Sequence, residues 1–162
     1  MDELDKGVAI SLKGAQRDDA LARCAAHLAA WQIAMPGVEP LVLDFGLGDF
    51  ERTGLIEYWI ANELDAGYCG KYLFVFDGQT CPTHHHRQKM ETFFVVRGRL
   101  RVTLGRQETE LAPGDVLTVR PGQRHSFTGV GPALMLELSK PCVVEDNVFA
   151  DPAIPIGKPA AT

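Results

Sequence analysis

The sequence has 162 residues, of which 46% are hydrophobic and 23% are charged, a composition typical of globular proteins and not of disordered or fibrous chains. This length is that of one average domain and is enough to bury a hydrophobic core. The formal net charge is −5 and no block of Lys and Arg occurs, which argues against a nucleic-acid partner. The apolar runs are strand-sized and the N-terminus is acidic, so we expect neither membrane insertion nor export.

The first part of the chain favours a helix. Across residues 15–34, apolar side chains recur at the three- and four-residue spacing of an amphipathic helix: Leu21, Cys24, Ala25, Leu28 and Trp31. We predict that residues 1–38 form an N-terminal helical extension. Its apolar stripe would cover an open end or the outer face of the following sheet, or a partner subunit.

From Pro40 onward the pattern changes to short runs rich in β-branched and aromatic residues, separated by Gly and Pro. Nine runs qualify as strands: 41–44, 55–61, 72–76, 92–96, 100–104, 108–111, 116–119, 126–128 and 133–138. Nine short strands in one domain predict an all-β sandwich or closed barrel, which we assign to residues 39–150. Residues 151–162 hold three prolines and little apolar content, so we expect a loose C-terminal tail.

The four cysteines, Cys24, Cys69, Cys81 and Cys142, are far apart in the sequence. They form no C-x-x-C pair and match neither a zinc ribbon nor a dense disulfide framework. We therefore expect reduced, mostly packing thiols in a cytoplasmic protein.

Metal-binding chemistry is concentrated around three consecutive histidines. His84 and His86 are two residues apart, so on a strand both imidazoles point the same way, while His85 points outward. Glu91 follows after a short bend and can supply a carboxylate to the same point. His125, which ends a strand between two tight turns, is the natural fourth ligand. The alternative is that the three histidines form a surface cluster or a cloning remnant.

The two stretches resemble the paired motifs of the cupin superfamily, G-x5-H-x-H-x4-E-x6-G from Gly78 to Gly98 and G-x7-G-x2-H from Gly114 to His125. The resemblance implies a cupin barrel, a double-stranded β-helix or jelly roll. Three imidazoles and one carboxylate suit a divalent metal such as Mn, Fe, Co, Ni or Zn, with coordination positions left open for a substrate. Thiolate is absent from this set, which argues against a closed structural zinc site.

Flanking residues also resemble the D-lyxose isomerase family, over about residues 44–152. The matching stretches are 44–50, 68–71, 78–82, 89–93 and 146–149. The resemblance implies a divalent metal, commonly manganese, and a protein group that moves a proton between C1 and C2 of an open-chain sugar through an enediol. It thereby predicts a metal-dependent isomerase that interconverts a pentose or hexose aldose and its ketose.

Glu137 interrupts an apolar strand, where a lone carboxylate is costly to bury without a partner. It also matches the family's glutamate, and we predict that it is the catalytic base, the alternative being an outward-facing strand residue. Lys71 matches a family lysine that polarises a sugar oxygen. A surface position is the plain alternative for this lysine.

Three further residues are predicted to contact the substrate. Lys89 lies two residues before Glu91 and matches the family, the alternative being a solvated turn lysine. Asp146 matches an acidic family position that would hold a sugar hydroxyl, although a turn or cap aspartate is an equal alternative. Phe127 follows His125 by two and would form an apolar wall, although core packing alone would also explain it. The segment 87–90 is shorter than the family's usual loop, which leaves sugar length and stereochemistry open.

Two other functions use the same ligands. An iron-dependent cupin dioxygenase needs no second carboxylate opposite the metal, and a non-catalytic sugar-binding cupin needs no proton carrier. Exposed apolar faces of the helix and strands favour a homodimer.

Overall fold

The structure is a computed structural model that describes residues 2–156. Two helices come first, α1 (Glu3–Val8) and α2 (Gly14–Ala30). The strands that follow in these residues are β1 (Leu41–Leu43), β2 (Leu55–Glu63), β3 (Tyr68–Val75), β4 (Thr80–His86), β5 (Glu91–Arg97), β6 (Leu100–Leu104), β7 (Gln107–Leu111), β8 (Val116–Val119), β9 (His125–Gly129), β10 (Ala133–Ser139) and β11 (Asn147–Phe149). A short 3-10 turn, Val144–Asp146, precedes β11.

The strands form two sheets. One has six strands in the order β1-β2-β3-β10-β5-β8 and the other has five in the order β11-β4-β9-β6-β7. Neighbouring strands pair antiparallel in both sheets. The predicted all-β jelly roll with N-terminal helices is confirmed. Two strands were not among the predicted runs, β11 and the histidine-bearing β4.

The core lies between the sheets because side chains alternate along each strand. On β10, Met135 points into the barrel and Leu134 points outward. On β3, Leu73 points into the barrel and Phe74 points outward. The inner cluster is built mainly from aliphatic and aromatic residues of both sheets. Burying one such side chain fully stabilises the fold by roughly 1.5–3 kcal/mol.

The second helix covers the outer face of the six-stranded sheet. Cys24 and Leu28 of α2 pack with Ile56 and Phe74 in a second apolar cluster, which is one of the three positions expected for its stripe. The helix ends at Ala30, earlier than the predicted residue 34, and Gln32 adopts a left-handed φ of 57° just beyond it.

The segment after β11 packs more firmly than its composition predicts. Ile154 is 1% exposed and belongs to the inner core cluster, and Ile156 packs against that cluster. The loose tail expected from residue 151 is therefore wrong for 151–156, because one isoleucine side chain reaches the core. Residues 157–162 lie outside the described part of the chain. Among the described residues, no helix is both long and apolar enough to cross a membrane.

Candidate active site

Four buried side chains converge inside the barrel. His84 and His86 project from β4, Glu91 is the first residue of β5 and His125 is the first residue of β9. One ligand atom from each residue lies within 4.8 Å of the ligand atoms of the others. The two-residue repeat of a strand places His84 and His86 on the inner side of β4. His85 between them is less buried.

Backbone carbonyls orient two of the imidazoles. His84 Nδ1 lies 2.8 Å from the carbonyl oxygen of Pro82, and His125 Nδ1 lies 3.0 Å from that of Gln123. A carbonyl accepts only from a protonated Nδ1, so Nε2 of each ring carries the free lone pair. These contacts leave both Nε2 atoms ready to bind a metal.

The charge states of these residues also suit a cation. Burial lowers the pKa of His84 well below its ordinary value and lowers that of His86 as well, so both rings are neutral. Burial would raise the pKa of Glu91, but the Lys89 ammonium and the adjacent imidazoles hold it well below the usual range. The site therefore offers neutral nitrogens and a carboxylate anion.

The unpaired atoms provide a test of whether a metal fits. His125 Nε2 is buried without a hydrogen-bond partner among the described residues, although it lies 2.8 Å from Glu91 Oε1. We interpret this close approach as two ligand atoms aimed at one point, because an imidazole that donates from Nδ1 to Gln123 presents a lone pair at Nε2. Leaving a buried polar atom unpaired costs about 1–3 kcal/mol. Three imidazoles and a carboxylate are a donor set that divalent transition metals favour, so the residues fit such an ion.

A line of alternating charges runs from the metal ligand across the interior, and we call it the charged row. Lys89 Nζ lies 2.8 Å from Glu91 and 2.9 Å from Glu137. Lys71 Nζ lies 3.6 Å from Glu137 and 3.5 Å from Glu57. Each lysine thus lies between two carboxylates, so buried charges of opposite sign compensate one another.

Burial decides between the alternatives for three residues of this row. Lys71, Lys89 and Glu137 are 3%, 5% and 3% exposed, so none of them is a surface side chain. Burial would raise the pKa of Glu137, but Lys71 and Lys89 bring it below the ordinary value. The carboxylate is therefore charged.

Three of the predicted ligands, His84, His86 and Glu91, line one chamber with the charged row and with aromatic walls. Phe127 is 2% exposed and faces this chamber beside Phe93, with ring centroids 5.8 Å apart. Phe149 of β11 lies against His84, at 5.2 Å between centroids. The chamber volume is about 50 Å³.

One chamber carboxylate was missed by the sequence analysis. Glu57 lines the chamber, and its Oε2 accepts a 2.6 Å hydrogen bond from the indole nitrogen of Trp59. The signal was available, because Glu57 interrupts the apolar run 55–61 just as Glu137 interrupts its own strand.

Asp146 lies at the turn between β4 and β5. Its carboxylate accepts hydrogen bonds from the backbone nitrogens of Gln88, at 3.0 Å, and Lys89, at 2.9 Å. These bonds hold the turn, which is the alternative role named for Asp146, and Asp146 lines an outer pocket and not the chamber. Its contact with a sugar hydroxyl stays a prediction.

All four cysteines are free and buried, in line with packing thiols. Burial raises the pKa of Cys24 and of Cys69 to about 11, so both stay protonated and unreactive.

Comparison with known proteins identifies the family. The model of a cupin domain matches residues 74–139, and that of D-lyxose isomerase matches residues 32–106. A D-lyxose/D-mannose isomerase of Thermosediminibacter oceani is 33% identical over 141 residues, which cover 70% of this chain and 77% of that protein. A quercetin 2,3-dioxygenase of Bacillus subtilis is 30% identical over 115 residues, but these cover only 34% of its length.

Among solved structures, an L-ribose isomerase variant of Acinetobacter sp. DL28 in complex with L-ribose has a TM-score of 0.74. The match covers 90% of this chain and 95% of that one at 16% identity, so it bears on the fold alone. The sequence match to the T. oceani isomerase is the stronger evidence, because it extends over most of both proteins. The chain therefore belongs to the D-lyxose isomerase family, a family of cupin-fold sugar isomerases.

Proposed function

We propose that the protein is a divalent-metal-dependent aldose–ketose isomerase that acts on a pentose or hexose through an enediol, with a D-lyxose-like sugar as substrate. The observation that carries this proposal is the placement of Glu137. It is a buried carboxylate in the chamber of the four metal ligands, held by Lys89 at 2.9 Å. An isomerase needs such a proton carrier beside its metal.

The two oxygens of Glu137 differ in their surroundings. Oε1 accepts hydrogen bonds from Lys89 Nζ and from Ser139 Oγ, each at 2.9 Å. Oε2 lies 3.6 Å from Lys71 Nζ, beyond the length of an ordinary hydrogen bond. We assign the transferred proton to Oε2, which would take it from C2 of the aldose and return it to C1.

A divalent ion bound by His84, His86, Glu91 and His125 would supply Lewis acidity at the carbonyl and hydroxyl oxygens of the sugar. Lys71 and Lys89 place positive charge where negative charge develops on these oxygens. Phe127 gives the carbon chain an apolar wall. The buried position of the chamber keeps water away from the enediol.

A screen of pentoses and hexoses with the metal-loaded protein tests the proposal. We expect aldose to ketose conversion with D-lyxose or a sugar of the same configuration at C2. If no aldose is converted with Mn, Co, Ni, Zn or Fe, the proposed function is wrong.

The iron-dependent dioxygenase remains a second candidate, because the same four ligands suit iron and part of a dioxygenase matches the chain. The charged row favours isomerisation, since oxygen chemistry needs no second carboxylate beside the metal. A non-catalytic sugar-binding cupin is disfavoured for the same reason. Oxygen uptake with iron and no ketose would support the dioxygenase.

Manganese is the metal we propose, in keeping with the oxygen-rich substrate. We also propose a homodimer through the outer face of the six-stranded sheet. There Tyr72, Leu136, Phe94 and Val116 lie side by side across four strands, and Val116 is 60% exposed. These four side chains carry no charge, so the same four residues of a second copy can pack against them, as a twofold interface requires. The free cysteines support a cytoplasmic location.

A further inference from the structure

An aldose reaches an isomerase chiefly as a ring, because pentoses and hexoses in water close onto their own carbonyl carbon. An enediol forms only from the open chain, in which C1 is a free carbonyl. Opening the ring needs a base for the proton of the anomeric hydroxyl and an acid for the ring oxygen. These two oxygens are bonded to the same carbon, so the base and the acid have to lie close together.

Two groups at the end of the charged row take no part in proton transfer between C1 and C2. Lys71 and Glu57 both line the chamber, and Glu57 is only 9% exposed. Lys71 Nζ lies 3.5 Å from both carboxylate oxygens of Glu57, beyond the roughly 2.7–3.2 Å of an ordinary N–H···O bond. The ammonium and the carboxylate thus form a loosely bonded, buried pair that faces the chamber.

Trp59 holds both members of this pair. Its indole nitrogen donates to Glu57 Oε2 at 2.6 Å, which fixes that oxygen and leaves Oε1 for a substrate. Its ring lies 5.1 Å from Lys71 Nζ, within cation–π range. The side chains come from paired strands, since Trp59 of β2 lies opposite Lys71 of β3. One indole therefore positions the base and the acid together.

We propose that Glu57 and Lys71 open the ring of the sugar, which gives the protein an anomer-interconverting activity besides isomerisation. Glu57 Oε1 takes the proton of the anomeric hydroxyl, and the electron pair of that O–H bond forms the carbonyl. The bond between C1 and the ring oxygen breaks, and its electron pair goes to the ring oxygen, which receives a proton from the Lys71 ammonium. The Glu57 carboxyl then returns its proton to the Lys71 amine, so protons and electrons balance.

The position of the pair suits this sequence of steps. Lys71 lies 3.6 Å from the base Glu137, so the opened chain is already beside the group that moves the C2 proton. The inference rests on the proposed function for its choice of sugar, although the ring-opening step can be measured without isomerisation.

The test follows freshly dissolved crystalline D-lyxose by proton NMR at low temperature, with the manganese-loaded protein. Relaxation between the two anomers and the appearance of ketose are read separately in one time course. We expect the wild-type protein to accelerate anomer relaxation at least tenfold over buffer. With Glu57→Gln, the protein-catalysed rate of anomer relaxation should be at least tenfold lower than with the wild type. Glu63→Gln, the same change at an exposed position of the same strand, should retain the wild-type rate.

The outcomes separate this inference from the proposed function. Anomer relaxation without ketose supports ring opening and contradicts isomerisation. Ketose formation without faster anomer relaxation contradicts ring opening alone, and so does full acceleration by Glu57→Gln. Circular dichroism and metal content check folding. If Glu57→Gln does not fold, Trp59→Phe removes the indole donor to Glu57 and should lower the acceleration, and an unchanged rate would overturn the inference.

Discussion

The two sheets contribute different chemistry to the same chamber. The five-stranded sheet supplies the three imidazoles, from β4 and β9, whereas the six-stranded sheet supplies Glu57, Lys71 and Glu137, from β2, β3 and β10. His84 and His86 are neutral, and ligand atoms of all three imidazoles converge near one point. The charges of the six-stranded sheet largely satisfy one another. The imidazoles and the charged row thus lie on opposite walls, and Glu91 of β5 is the one predicted metal ligand on the six-stranded wall.

The largest expected effect comes from removing the proton carrier on the six-stranded wall. Glu137→Gln should lower kcat by about 10²–10⁴, the usual contribution of a positioned acid–base group, while metal content stays at the wild-type level. Steady-state kinetics and metal analysis measure both. Glu108→Gln, at an exposed position on β7, is the matched control. Full aldose to ketose conversion by the Glu137 variant would show that the base lies elsewhere.

The second-largest effect is expected on metal affinity, from loss of an imidazole ligand on the five-stranded sheet. His125→Ala removes a ligand, and we expect metal affinity to fall by at least about 100-fold, since changes even in groups that only orient ligands cost 10–100-fold. Titration with the metal during a thermal-shift measurement reports it. His85→Ala, on the outer side of the same histidine cluster, should leave affinity unchanged. Equal affinities for the two variants would remove His125 from the ligand set.

The charged row is expected to matter for stability as well as for activity. Lys89→Met leaves the carboxylates of Glu91 and Glu137 without their nearest cation, and breaking a buried ion pair costs about 3–5 kcal/mol. Urea unfolding of the metal-free protein measures the loss. Lys140→Met, at an exposed position, should change the free energy of unfolding by less than about 0.5 kcal/mol. If the two variants are equally stable, the charged row does not stabilise the fold.

The smallest effect on activity is expected from a substitution on the outer face of the six-stranded sheet. Phe94→Lys places a charge in the apolar row and should convert a dimer to a monomer, with aldose to ketose conversion largely retained. Light scattering after size exclusion gives the mass. Leu64→Lys, at an exposed apolar position outside that row, should remain dimeric. A monomeric wild-type protein at micromolar concentration would contradict the proposed dimer.

The predictability of each residue follows from how far its partners lie along the chain. His84, His86 and Glu91 lie within eight residues, and strand alternation places the two histidines without any long-range information. Glu57 was missed because its meaning depends on Lys71, which lies 14 residues away and becomes a neighbour only through the pairing of β2 with β3. The all-β fold followed from short runs and turn residues, which are local signals as well.

Two residues near the end of the chain make contacts that local patterns do not predict. Asp146 accepts hydrogen bonds from backbone nitrogens 57 and 58 residues earlier. Ile154 was placed in a loose tail because the segment around it is poor in apolar residues, yet its own side chain fills a gap in the core. Composition describes a segment on average, whereas a single long-range contact decides where each side chain lies.

The attachment of the N-terminal helix has a practical consequence for anyone who trims or tags this protein. Glu3 accepts a hydrogen bond from the backbone nitrogen of Val144, and Lys6 pairs with Glu145 at 2.7 Å. The next residue, Asp146, holds the turn that carries Lys89 into the chamber. The first turn of α1 thus contacts the segment that carries Asp146, so a truncation that deletes it removes a support of the turn that bears Lys89 while leaving the barrel strands untouched.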